Sequence, residues 1–78
     1  MITVDLVLTR EDGWVEVPLT NSKMIIAVKS SDGVLMRFGA GSNSSGFRLE
    51  EGSVVVLEET VWLKDVYDNG TSVVAVSQ

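Results

Sequence analysis

The chain of 78 residues contains no histidine and no cysteine. Histidine is the usual general base beside a serine or cysteine nucleophile, so most nucleophilic catalysis at neutral pH is excluded. Disulfide bonds and thiol chemistry are excluded as well, and a zinc site would lack its preferred ligands. The sequence therefore predicts a protein that is not an enzyme, with no catalytic residues, no bound metal and no cofactor.

Long apolar runs are also missing, and proline occurs only once, as Pro18. No stretch approaches the ~20 apolar residues with which a helix crosses a membrane. The N-terminus, Met1 to Asp5, has neither the basic nor the apolar region of a signal peptide. We therefore expect a protein that is made in the cytoplasm and has no membrane partner.

Positive charge is scarce, because six Lys and Arg residues face eleven Asp and Glu residues, for a net charge of −5. The six basic residues are scattered and form no stripe. A polyphosphate backbone would be repelled by the surplus of acid, so nucleic acid is excluded as a partner. The same surplus keeps free subunits soluble.

The length predicts a single domain over residues 1–78. So small a chain buries only about 60–65% of the surface that its unfolded form exposes, and small domains usually compensate with disulfides, a metal or partner subunits. With the first two excluded, and with 45% hydrophobic residues, association is the remaining option. We expect a homo-oligomer, with a trimer favoured.

Short β-branched runs separated by Gly, Asn and Asp predict an all-β protein. The predicted strands cover residues 2–9, 14–17, 23–29, 34–38, 47–49, 53–57, 61–67 and 71–76. Tight turns at Asp12-Gly13, Asp32-Gly33 and Asn69-Gly70 predict three hairpins, and residues 39–46 read as an exposed loop. No helical periodicity is found. The expected fold is a small antiparallel β-sandwich or jelly roll of seven to eight short strands.

Acidic residues are the main candidates for chemistry. Adjacent pairs occur at Glu11-Asp12, Glu50-Glu51 and Glu58-Glu59, and Asp65 to Gly70 has some likeness to a calcium loop. The pairs lie mostly in turns, where carboxylates are solvated, and the loop lacks the late bidentate acid that calcium needs. A phosphate loop at Gly39 to Ser45 would need a lysine and a following helix. We expect none of these to be a site.

Several strands carry apolar residues on both faces, more than one small core can hold. The residues predicted to lie opposite the main apolar set are Val7, Ile25, Leu35, Val55, Leu57 and Trp62. Such residues are expected either to seal the ends of the core or to form contacts with another subunit. Together with the few aromatic residues they give four interface candidates, which are Trp14, Leu35, Phe47 and Trp62. The lysines Lys23, Lys29 and Lys64 are expected to protect strand edges from aggregation.

Three segments of the second half carry a likeness to a known class of proteins. They are the "VLMRFG" of residues 34–39, the "SSGFRLEEG" of residues 44–52, and the "VWLKDV" and "GTSVVAV" within residues 61–76. In order and spacing they resemble small structural proteins of tailed-bacteriophage virions, of the capsid decoration or accessory β-sandwich type. The likeness spans about 45 of the 78 residues.

The resemblance implies a non-enzymatic virion protein, most simply a decoration subunit that stabilises the capsid through apolar contacts with its copies and with the major capsid or another virion protein. It would be assembled in the cytoplasm of the host bacterium. A neck, tail or fibre accessory protein is the nearest alternative. The N-terminal residues 2–17 exceed the pattern and could be an arm given to a neighbour.

A carbohydrate-binding β-module is the alternative from another class. Exposed Trp and Tyr side chains could stack on sugar rings, while Asp65 or Asn69 would bond to sugar hydroxyls.

Overall fold

The computed structural model describes residues 1–38, 46–66 and 71–78. The strands are β1 (Thr3–Thr9), β2 (Val15–Val17), β3 (Met24–Val28), β4 (Val34–Phe38), β5 (Phe47–Leu49), β6 (Val54–Leu57), β7 (Val61–Asp65) and β8 (Thr71–Ser77). A single 3₁₀ turn, Arg10–Asp12, follows β1. The predicted all-β fold is confirmed. No helix in the described part of the chain is long and apolar enough to cross a membrane.

The strands form two antiparallel sheets of four. Sheet A has the order β1-β8-β3-β6 and sheet B the order β2-β7-β4-β5. The first strand therefore pairs with the last, the second with the seventh, and so on inward, with successive pairs entering alternate sheets. This nested order is that of a jelly roll, which was one of the two predicted architectures.

The predicted hairpins are wrong in their pairing. The two strands of each predicted hairpin lie in different sheets and are not paired with each other. This holds for β1 and β2, for β3 and β4, and for β7 and β8. An Asp-Gly dipeptide predicts that the chain reverses direction. Such a reversal can join two paired strands of one sheet, or it can connect a strand of one sheet to a strand of the sheet packed against it. Residues 2–17 are consequently not a hairpin, and their role as an arm stays a prediction. Most of the predicted loop 39–46, together with Tyr67 and the Asn69-Gly70 turn, lies outside the described residues.

The core lies between the two sheets and consists of alternate residues of the strands. Its largest fully buried apolar side chains are Leu8, Met24, Ile26, Val34, Met36, Val61, Leu63 and Val74. In β3 and β7 burial alternates strictly along the strand, as the period of two requires. Each such side chain contributes about 1.5–3 kcal/mol relative to exposure.

Strand β6 faces the opposite way from the one predicted. Leu57 is buried in the core and Val55 packs against it, whereas Val54 and Val56 point outward. Three consecutive valines have no apolar periodicity, so the sequence of β6 alone does not choose a face. The choice is made by the neighbouring strand, which sets Leu57 opposite the buried Met24.

Candidate interaction surface

The outer face of sheet A is apolar over most of its width. In the strand register, one row runs from Asp5 through Ala75 and Ala27 to Val54, and the next ends at Ile25 and Val56. Val7 and Val73 form a further apolar pair at the β1 side of the same face. We call these outward residues of the four strands the sheet A face.

The polar groups of the sheet A face bond to one another. Lys29 Nζ donates to Asp5 Oδ1 at 3.0 Å, and both side chains are about half exposed. The hydroxyls of Thr3 and Ser77 lie 2.7 Å apart and share a hydrogen bond. Because opposite charges are paired there, the face adds little net charge to an acidic molecule, which favours contact with another protein surface.

The most exposed apolar residues of the face lie on its two edges. Val54 and Val56 on β6 expose 64% and 60% of their surface, and Val7 on β1 exposes 53%. The sequence did not single out Val54 and Val56, because the wrong face of β6 was assigned to the core. Exposed apolar side chains that lie side by side on one face are the kind of surface that marks an interaction site.

An open apolar groove of about 200 Å³ lies between the edge strands β1 and β2. Its apolar lining is Val4, Leu6, Val17, Pro18 and Val76, with Glu16, Thr20 and Gln78 also contributing. Val4 has the same orientation as the buried Leu8, yet it is 58% exposed because β2 is too short to cover it. The sandwich is therefore incompletely closed along this side.

The predicted interface residues are not all in one place. Trp14, Leu35 and Trp62 are half-buried residues of sheet B or of the segment entering it, and the alternation of β4 and β7 turns Leu35 and Trp62 to the outer face. Phe47 lies apart, with its ring centre 6.0 Å from that of Phe38, and both rings are about half exposed. The role of these four residues in contacts stays a prediction.

The outer face of sheet B differs from that of sheet A in carrying much more charge. The guanidinium of Arg37 lies 4.3 Å from the centre of the Trp14 ring, and the ammonium of Lys64 lies 5.8 Å from it. These are distances at which a cation is attracted by an aromatic face. The Trp14 ring thus already contacts neighbouring cations, and it is less available for contact with a partner than an exposed aromatic ring would be.

The predicted protection of strand edges by lysine is wrong. Lys23 and Lys29 flank β3, and Lys64 lies in β7. Both β3 and β7 have a partner on each side, so these lysines accompany central strands. The two edges of sheet A, β1 and β6, contain neither lysine nor proline.

The acidic residues offer no chemical site among the described residues. The pairs at 11–12, 50–51 and 58–59 are all exposed, and no three acidic side chains come together as a metal site would require. Asp65 is only 6% exposed and accepts a hydrogen bond from Ser72. It therefore cannot bond to the hydroxyls of a bound sugar, which removes one of the two polar residues that the carbohydrate alternative offered. Asn69 lies outside the described residues.

Comparison of the chain with protein-family models, with curated proteins and with solved structures found no match.

Proposed function

We propose that this protein is a non-enzymatic structural subunit that works by associating with other protein surfaces through the sheet A face. The observation that carries the proposal is the pair of exposed valines, Val54 and Val56, at the edge of this face, where the charges of Lys29 and Asp5 offset each other. A small domain without disulfides gains most from covering such a face.

The free energy available from one such contact is modest, and assembly depends on repeated contacts. Burying an exposed valine contributes roughly 1.5–3 kcal/mol, and the face presents Val7, Val54 and Val56 together with the half-buried Ile25. Association also costs translational and rotational freedom. A single contact of this kind is therefore weak, but contacts repeated over a lattice add in free energy.

A place in the virion of a tailed phage, as a capsid decoration subunit, is the specific form of the proposal. Two observations support it. The jelly roll is an architecture that recurs in viral capsid proteins, and residues 34–76 contain the segments that resemble phage structural proteins. In this role the net charge of −5 keeps unassembled subunits apart and soluble.

The experiment compares two double variants in binding to particles purified from the phage whose genome encodes the chain. V54K/V56K places two lysines on the sheet A face, and N21K/S22K places two lysines on exposed positions between β2 and β3 as the matched control. We expect the unmodified chain and N21K/S22K to sediment with the particles, whereas V54K/V56K stays in the supernatant.

Two results would contradict the proposal. One is the absence of the chain from purified particles by mass spectrometry, and the other is equal binding of both double variants. Immunogold labelling of intact particles then separates a decoration subunit, which labels the capsid, from a neck or tail protein.

A further inference from the structure

The hydrogen-bond pattern of β1 defines which of its backbone groups are free. Ile2 exchanges both backbone hydrogen bonds with Gln78, at 2.7 and 3.0 Å. In an antiparallel ladder such pairs alternate with pairs that make none, so Val4, Leu6 and Leu8 also bond to β8. The N–H and C=O groups of Thr3, Asp5 and Val7 therefore point away from the sheet.

This free edge is seven residues long and has no described feature that blocks another strand. At the end of this edge the N–H of Thr9 donates to Asp12 Oδ2 at 3.4 Å, and no other hydrogen bond to an outward backbone group of β1 is found among the described residues. Natural edge strands are usually protected by lysine, proline, a bulge or a covering segment. β1 has a regular register from residue 3 to residue 9 and contains one charged residue, Asp5.

We propose that β1 pairs with β1 of a second copy of this chain, antiparallel and about a two-fold axis through Leu6, so that two A sheets join into one. In this register Leu6 lies opposite Leu6 of the second copy, and Asp5 lies opposite Val7 of the second copy. The inference goes beyond the proposed function, because it concerns the free edge of β1 and not the sheet A face, and it names one partner and one contact.

Charge selects this register over its neighbours. The free N–H and C=O groups belong to the odd-numbered residues of β1, and they can bond only to free groups of the second copy. The two-fold axis can therefore move only to positions that keep odd residues opposite odd residues. Moving the axis to Asp5 would set two aspartates directly opposite each other, which destabilises a sheet. Moving it to Val7 would leave Thr3 and Val4 without partners. With the axis at Leu6, each of the seven residues of β1 lies opposite a β1 residue of the second copy, and no two like charges face each other.

The groove beside β1 gives an independent reason for a second copy at this edge. Val4 and Leu6 line the groove, and Val4 is largely exposed. In the proposed register Val4 lies opposite Leu8 of the second copy and on the same face, so the open sides of the two sandwiches meet. Apolar surface that β2 leaves uncovered is then covered by the partner.

The test uses opposite charges at one position. V7D would place an aspartate opposite Asp5 of the second copy, whereas V7K would place a lysine there. We expect the unmodified chain and V7K to have twice the 8.4 kDa mass of one chain by light scattering, and V7D to have the mass of one chain. The matched control is V56D on the opposite edge of sheet A, which we expect to remain a dimer.

Cross-linking tests the register directly, because the chain has no cysteine of its own. At a non-hydrogen-bonded antiparallel pair the Cα atoms are about 4.5 Å apart, within the range of a disulfide. L6C is therefore expected to form a disulfide-linked dimer on mild oxidation. D5C is expected to stay monomeric on a denaturing gel, since its counterpart lies more than about 7 Å away, whereas D5C/V7C cross-links.

Several outcomes would overturn the pairing: a mass of one chain or of three chains for the unmodified protein, equal masses for V7D and V7K, or cross-linking of D5C but not of L6C. A three-chain mass would favour the trimer expected from the sequence. Failure here and failure of the proposed function are distinguishable. A V7D monomer that still sediments with particles leaves the virion role intact, and a dimer that never enters particles leaves the pairing intact.

Discussion

Arg37 places its guanidinium 4.3 Å from the centre of the Trp14 ring, and Arg37 itself is almost fully buried. The two residues lie far apart in the sequence and come from opposite sides of β7 in sheet B. An arginine over an indole face is attracted to it by about 0.5–2 kcal/mol, depending on how far water is excluded. The contact thus links the entry of β2 to the centre of the sheet.

A double-mutant cycle should detect this link. We expect W14A and R37M each to destabilise the fold, and the double variant to lose about 1 kcal/mol less than their sum. The measurement is urea unfolding followed by circular dichroism. Lys64, at 5.8 Å from the same ring, is the control, and a cycle of W14A with K64M should give a coupling below about 0.5 kcal/mol. Equal couplings for the two cations would contradict the geometry.

The buried Asp65 and Ser72 should behave as a unit. Oδ1 of Asp65 accepts from the Ser72 hydroxyl, and Oδ2 has no partner among the described residues. S72A removes the donor to Oδ1, so that both buried carboxylate oxygens lack a donor among the described residues. We expect the free energy of unfolding to fall by about 2–3 kcal/mol. D65L/S72A, which removes both polar groups, should recover most of the loss in thermal unfolding. A double variant as unstable as S72A would show that packing, not polarity, dominates there.

Gly33 and Gly52 provide a matched test of backbone crowding. Both have positive φ, at 77° and 85°, but a Cβ on Gly33 would clash with the carbonyl oxygen of Leu49, whereas a Cβ on Gly52 would meet open space. We expect G52A to cost about 1 kcal/mol from backbone strain alone. G33A should cost clearly more, because the turn must move away from β5. Equal unfolding midpoints for the two variants would contradict this close approach.

The reassigned faces of β6 can be checked with two neighbouring residues. Leu57 is buried and Val56 is 60% exposed. We expect L57A to lose about 2–5 kcal/mol of unfolding free energy and V56A less than about 1 kcal/mol. The reverse order would restore the face assignment that the sequence suggested. Both variants should be measured at low protein concentration, so that association does not add to the stability of the unmodified chain.

The strands themselves were largely predictable from the sequence. All eight lie where the sequence predicts them, with bounds that differ by two residues or fewer. Local chemistry suffices for this, because strand periodicity and turn residues act over a few positions. The alternation in β3 gave the correct inward set of Met24, Ile26 and Val28.

The candidate surface was predictable only in kind. The sequence correctly predicted that some apolar residues point away from the core. Four of them do not belong to the buried core, namely Val7, Ile25, Leu35 and Trp62. Val54 and Val56, the most exposed apolar members of the sheet A face, were missed. The proposed role in a virion, the partners and the four interface candidates stay predictions.

The sequence by itself determined that this chain is all-β, acidic and without histidine or cysteine. Only the tertiary structure decided which strands are neighbours, and through that which valines reach solvent and which edge of sheet A is open. The physical reason is the sequence separation over which each signal acts. Turn residues and strand periodicity act over a few positions, whereas β1 pairs with β8, which lies at the other end of the chain.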